Sequence, residues 1–218
     1  MEFIRQAFDF LLHLDRHLSA IIQTYGLWTY LILFAVIFLE TGFVVTPFLP
    51  GDSLLFAAGT FAALGALKPG FLVLILGAAA VLGDNLNYWI GHHIGPKVFR
   101  QDRTRFFKKE HLDRTHAFYE KHGTMAIVIA RFMPIVRTFS PFVAGIGRMP
   151  YGKFLLFDLL GGFFWVSFFV WGGYFFGNIP FVKRNFTLVI LAIIMISLLP
   201  AAAGYLRHRR GKRRAARG

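Results

Sequence analysis

The stretch Met125-Ala-Ile-Val-Ile-Ala-Arg131-Phe-Met-Pro134-Ile-Val-Arg137-Thr-Phe-Ser-Pro141-Phe-Val-Ala-Gly-Ile146 decides how this chain is read. It is apolar and long enough to cross roughly 30 Å of hydrocarbon. Yet it holds Arg131 and Arg137, and Pro134 and Pro141. Proline breaks the helical hydrogen-bond ladder, and charge in hydrocarbon is costly. A straight spanning helix does not fit, so the spacing predicts a re-entrant hairpin that dips in and returns to the same side. Irregular backbone at that depth is tolerated only where protein or a water-filled cavity surrounds it. Phe48–Leu67 has the same character, opening on Pro47 and Pro50-Gly51-Asp52.

Composition points the same way. Of the 218 residues, 56% are hydrophobic and only 16% are charged, against about 25% charged in soluble domains. Disorder needs the opposite balance. With no cysteine, a disulfide framework, a thiol nucleophile and Cys-ligated metal or iron–sulfur sites are excluded. The formal charge of +13 would suit nucleic acid. However, the Lys and Arg lie in blocks between apolar stretches, as in the cytoplasmic loops of membrane proteins, so no nucleic-acid partner is expected. Residues 2–22 carry Glu2, Asp9 and Asp15 and lack the basic start and apolar core of a secretory signal.

Working outward, Leu27–Thr46, Phe71–Gly91, Phe154–Phe176 and Phe186–Leu206 are each long enough to cross a bilayer. Residues 1–24 read as an amphipathic interfacial helix, with Phe3, Ile4, Ala7, Phe8, Leu11, Leu14 and Leu18 at helical spacing. The alternative is a helix packed on its own protein. Residues 25–206 form one transmembrane domain that includes a basic cytoplasmic amphipathic segment at 97–122. Residues 207–218 form a basic tail, suited to anionic headgroups at about 1 kcal/mol per basic residue. With four crossings, two hairpins and both termini in the cytoplasm, nineteen of the 24 Lys and Arg lie inside. Full crossing by both hairpins would put the basic block at 97–121 outside, against the positive-inside rule.

The chain reads as two related halves, about 25–95 and 123–177, followed by a final helix at 186–206. Pro50, Phe56-Ala-Ala-Gly59, Pro69, Phe71-Leu72, Gly77, Tyr88-Trp89 and Gly91-x-x-x-Gly95 are matched by Pro134, Phe142-Val-Ala-Gly145, Pro150, Phe154-Leu155, Gly161, Trp165, Trp171 and Gly173-x-x-x-Gly177. Chance similarity among Phe-, Gly- and Leu-rich helices is the alternative. The expected fold is an all-α membrane protein with about four transmembrane helices and two opposed re-entrant hairpins in an inverted repeat. Such repeats, broken at matching positions, point to a transporter with its site at the midplane.

The buried charges carry the chemistry. Glu40 lies within an apolar run, Asp52 at the first break, and Arg131 and Arg137 either side of Pro134. Arginine's planar fork matches two phosphate oxygens and keeps its charge when buried. A carboxylate suits a proton, because burial and a nearby arginine move its proton affinity in opposite directions. If the hairpins meet tip to tip, four charges converge. Arg131 and Arg137 would then hold an anion while Glu40 and Asp52 load a proton. The alternative is buried Arg–carboxylate pairs that only fix the fold. Asp84, Asn85 and Asn87, with Asp158, read as supporting partners or a proton path, or as satisfied contacts between helices. Pro50, Gly51 and Pro134 shape the hairpins. No H-E-x-x-H occurs, His92 and His93 lie near a helix end, and the loop residues His111, His116 and His122 read as solvated, so no metal or other cofactor is expected.

In combination, Glu40-Thr-Gly, Pro47-Phe-Leu-Pro-Gly-Asp52-Ser-Leu-Leu-Phe-Ala-Ala-Gly59, Gly83-Asp-Asn-Leu-Asn-Tyr88, Tyr119-Glu-Lys-His-Gly123 and Arg131-Phe-Met-Pro-Ile-Val-Arg137 resemble the DedA family. These are bacterial inner-membrane proteins with a SNARE-associated or VTT-like domain. The likeness covers about residues 25–206 and leans toward the enterobacterial members involved in membrane homeostasis, cell division and tolerance of alkali and drugs. The resemblance implies lipid movement between leaflets, for some members of undecaprenyl phosphate, and dependence on the proton motive force. It places functional acids and arginines at Glu40, Asp52, Arg131 and Arg137. Many members carry Glu where this chain has Asp52, which shortens its reach. The expected function is proton-linked translocation of a phosphate-bearing lipid, by a non-enzyme in the inner membrane that could form a homo-oligomer. The alternative is a proton-coupled antiporter of small cations or drugs.

Overall fold

A computed structural model of the chain describes residues 14–43, 51–98 and 123–186, with residues 188, 189, 191–193 and 195 of the segment that follows. Among the described residues all regular structure is helical. The elements are α1 (Leu14–Tyr25), α2 (Trp28–Gly42), α3 (Gly51–Ala63), α4 (Pro69–Val98), a 3₁₀ turn (Gly123–Met125), α5 (Ala126–Ala130), α6 (Pro134–Ile146), α7 (Tyr151–Phe176) and α8 (Pro180–Arg184).

Among the described residues, two helices are long and apolar enough to cross a bilayer. They are α4 over Pro69–His93, 25 residues, and α7 over 26 residues. At 1.5 Å per residue each spans more than about 35 Å. Both carry exposed apolar side chains, among them Leu74 and Leu82 on α4 and Phe164, Phe168 and Phe175 on α7. So much apolar surface is a liability in water and is satisfied against acyl chains.

Some expected bounds shift. Of the span expected over Leu27–Thr46, Trp28–Gly42 is helical and Phe43 is extended at φ −117° and ψ 122°, while residues 44–46 lie outside the described residues. That 15-residue helix reaches about 22 Å, short of the hydrocarbon thickness. The start of the interfacial helix, Pro50, the basic segment at 99–122, most of the final helix and the tail lie outside the described residues.

The expected break around Pro134 is present, while Pro47 and Pro50 of the other break lie outside the described residues. In the second broken stretch α5 stops at Ala130, residues 131–133 turn, and Pro134 opens α6 behind an extended Met133 at φ −123° and ψ 99°. Proline suits that first helical position because its missing N–H is unpaired there in any case. In the first, α3 turns into α4 through Gly65, whose φ of +80° is open to glycine and strained for most other residues. The Lys68 N–H donates to the Tyr30 hydroxyl at 2.8 Å, fixing that turn to α2. Leu33 and Ile37 of α2, Leu55 of α3, Leu72 and Leu76 of α4 and Trp165 and Val166 of α7 build the main core.

Glycines set how closely the helices approach. A Cβ on Gly59 of α3 would collide with the Val170 carbonyl of α7, and one on Gly173 of α7 with the Phe56 carbonyl of α3. Likewise, a Cβ on Gly145 of α6 would collide with the Tyr88 carbonyl of α4, and one on Gly91 of α4 with the Phe142 carbonyl of α6. The short helix of each half therefore packs, backbone to backbone, on the long helix of the other half. The glycines paired in the sequence repeat make matching contacts. Small residues permit such close crossings in membranes, where there is little hydrophobic force to pull helices together.

Gly145→Ala is expected to force α4 and α6 apart at a cost of about 1–3 kcal/mol. Gly152→Ala should change nothing, since a Cβ there meets no atom within 4 Å. Thermal melting of the two variants in detergent is the check.

Candidate functional site

Five buried charged side chains and the part-buried Asp52 lie between these helices, in two clusters of one arginine and two acids. Arg137, in the first turn of α6, spreads its fork across two elements. Its Nη2 donates to Glu40 Oε1 on α2 in a short ion pair, and its Nη1 donates to Asp52 Oδ1 on α3 at 2.9 Å. The guanidinium lies 4.8 Å from the centre of the Trp165 ring on α7, a cation–π distance. Trp165 Nε1 donates to the same Asp52 Oδ1 at 2.9 Å. The Gly51 N–H donates to Glu40 Oε1 at 3.2 Å, and a Cβ on Gly51 would overlap the Glu40 carboxylate. Glycine at 51 is thus what lets the start of α3 rest on Glu40.

Arg131 occupies the turn between α5 and α6. Its Nη2 donates to Asp84 Oδ2 of α4 at 2.6 Å and to Asp158 Oδ1 of α7 at 2.5 Å, and it also meets the Asp158 carbonyl at 3.2 Å. Gly161 and Gly162 of α7 make room for it, since a Cβ on either would lie 3.2 Å from the Arg131 side chain.

The four charges expected to converge therefore divide. Glu40, Asp52 and Arg137 do come together across three helices. Arg131 does not join them. Its direct partners are Asp84 and Asp158, which the sequence had suggested only as supporting residues. Arg131 precedes the helix that Pro134 starts and Arg137 lies one turn into it, so the two side chains leave in different directions. The clusters remain neighbours, because Asp84 is close enough to Arg137 for Coulombic attraction. Asn85 stands apart: its amide donates to the Val81 carbonyl at 2.8 Å and its oxygen accepts from the Tyr151 hydroxyl at 2.7 Å.

Two further residues contribute, Trp165 and Asn87, the latter expected only as a supporting partner or a satisfied contact between helices. Trp165 appeared only as a repeat marker, although a buried indole N–H generally needs an acceptor. Asn87 donates to the Thr138 carbonyl at 2.9 Å and the Thr41 carbonyl at 3.4 Å, joining α4 to α6 and to the end of α2.

The clusters differ in access. The Asp52 and Arg137 side chains are 14% and 8% exposed, whereas those of Arg131, Asp84 and Asp158 are 2%, 4% and 0% exposed. Together they set four carboxyls against two guanidiniums. With every acid ionised the buried site would be short of positive charge, which desolvation penalises heavily. Such a site favours uptake of protons or of a small cation.

A family profile described as the VTT domain matches residues 49–175, which takes in all of these residues except Glu40. Protein DedA of Escherichia coli (strain K12) is 48% identical over 219 residues, covering the whole of both chains. The chain belongs to the DedA family. An uncharacterized membrane protein of Mycobacterium tuberculosis (strain ATCC 25618 / H37Rv) is 46% identical over 182 residues, 83% of this chain and 80% of its own. The inner membrane protein YghB of E. coli (strain K12) is 35% identical over 199 residues, 91% of this chain and 87% of its own. No solved structure matches. With its apolar long helices, this DedA family member is a helical membrane protein.

Proposed function

We propose that this protein carries a phosphate-bearing lipid between leaflets of the bacterial inner membrane, driven by protons. The observation that supports the reading is the split fork of Arg137. It is held by Glu40 and Asp52, two groups that lose their grip once they take up a proton, at the more accessible of the two clusters. Protonation of Asp52 or Glu40 frees guanidinium donors for phosphate oxygens, which match the same planar fork. Return of the carboxylate ejects the phosphate. Proton and anion thus exchange on one arginine, while Arg131 holds α4, α7 and the α5–α6 turn in register around it. Undecaprenyl phosphate and phospholipids are the candidate substrates. The two broken segments act as opposed re-entrant hairpins, and both termini face the cytoplasm.

The test is a liposome flipping assay with undecaprenyl phosphate and phosphatidylethanolamine, comparing wild type with Arg137→Ala, Arg131→Ala and Glu40→Gln. Flipping should fall in all three and collapse with Arg137→Ala. Equal rates in all four proteins would sink the mechanism.

The excess of acids over arginines favours a second reading, proton-coupled antiport of small cations. There the acids bind substrate and the arginines balance charge. Replacing both arginines separates the two: phosphate-lipid binding is lost under the first reading, and cation-driven flux partly survives under the second.

A further inference from the structure

We propose that Asp84 and Asp158, both held by Arg131 Nη2, form a dry proton-binding site in which the two carboxyls share one proton between them. This goes beyond the transport reading and stands whatever the protein carries.

Both acids approach the same nitrogen. Asp84 Oδ2 lies 2.6 Å and Asp158 Oδ1 2.5 Å from Arg131 Nη2, so two carboxyl oxygens crowd one donor group. The carboxyls also lie within hydrogen-bonding reach of each other. An ionised carboxylate only accepts hydrogen bonds, so contact between two of them needs a proton as donor. Asp158 Oδ2 is buried with no hydrogen-bond donor among the described residues, and its side chain is 0% exposed. A proton between the acids would supply that missing donor. It would also leave one negative charge opposite one guanidinium, which is the neutral count a dry site requires.

Among the described residues no other cation contacts the pair, although Arg137 is near enough to attract Asp84. The elements packed against α4 and α7 turn toward the clusters Glu40 from α2, Asp52 from α3, Arg131 from the α5–α6 turn and Arg137 from α6. Arg137 is already bound by Glu40 and Asp52. Among the described residues, Arg131 is therefore the one basic side chain in contact with Asp84 and Asp158. Like-charge carboxyls this close cannot both ionise freely.

Infrared spectroscopy of the purified full chain, with and without ¹³C-aspartate labelling, reads this proton directly. At neutral pH the wild type should show the carbonyl stretch of one protonated carboxyl that shifts on labelling. Asp84→Asn and Asp158→Asn should each abolish it, whereas Asp52→Asn and Glu40→Gln should leave it in place. Absence of an aspartic-acid band in the wild type overturns the proposal. So does a band that survives both Asp84→Asn and Asp158→Asn, or one lost in Asp52→Asn. If the two asparagine variants fail to fold, retention of the wild-type band in Asp52→Asn supports the proposal, because Asp52 is the other membrane-depth aspartate among the described residues. Flipping activity plays no part in the readout, so failure here and failure of the transport reading are told apart.

Discussion

Arg131→Ala is expected to lower the stability of the folded protein by about 3–5 kcal/mol, the usual result of stripping one partner from a buried ion cluster. The guanidinium connects three elements at once: the α5–α6 turn that carries it, α4 through Asp84 and α7 through Asp158. Without it, two carboxyls are left buried with no counter-charge. The glycines at 161 and 162, which made space for the side chain, would then face a void, adding a packing loss. The defect should be largely repaired in the triple variant Arg131→Met, Asp84→Asn, Asp158→Asn, because a neutral set of similar volume needs no counter-ion. Thermal melting in detergent and the amount of protein inserted into membranes are the measurements. Unchanged melting in Arg131→Ala would show that the cluster contributes nothing to the fold. Failure of the triple variant to recover would show that charge balance is not its basis.

Arg137→Lys is expected to abolish most transport while keeping the positive charge. A guanidinium reaches Glu40 with one nitrogen and Asp52 with the other, and it lies over the Trp165 ring. An ammonium is a compact point charge that serves one acid at a time and cannot present a planar fork to a phosphate. Losing one charge-assisted hydrogen bond costs about 1.5–3 kcal/mol, or roughly 10- to 150-fold in rate or affinity. Flipping rates in liposomes should fall by that factor, with melting shifted less than in Arg131→Ala because charge is preserved. Full activity in Arg137→Lys would mean that the exchange of carboxylate for phosphate on a fork is not the mechanism. The two arginines are thus expected to separate: Arg131 weighs more on stability, Arg137 more on transport.

Several features were legible because they follow from costs that any bilayer imposes. Pro134 with two arginines rules out an unbroken span, and the break appears at residues 131–133. The long helices of α4 and α7 extend a few residues beyond their expected starts, since helices continue past the apolar core into the interface. Glu40, Asp52 and Arg137 could be grouped in advance, because a charge at membrane depth needs a partner and few are on offer. Trp165 was not legible as a ligand of Asp52, because an indole in a Phe-rich helix gives no sign of which way its N–H points.

Local chemistry by itself determined that the chain is helical, that it belongs in a membrane, that a helix breaks before Pro134 and which charges lie at depth. It did so because hydropathy, proline and ionisation act within a turn or two of the residue concerned. Which acid meets which arginine was settled only in three dimensions. Arg131 and Asp84 are 47 residues apart in sequence, and Arg137 and Glu40 are 97 apart. Their meeting depends on the rotation and separation of whole helices, set by backbone-to-backbone contacts at Gly59, Gly91, Gly145 and Gly173. Spacing along the chain carries no record of those angles, so two arginines six residues apart came to serve two different sites.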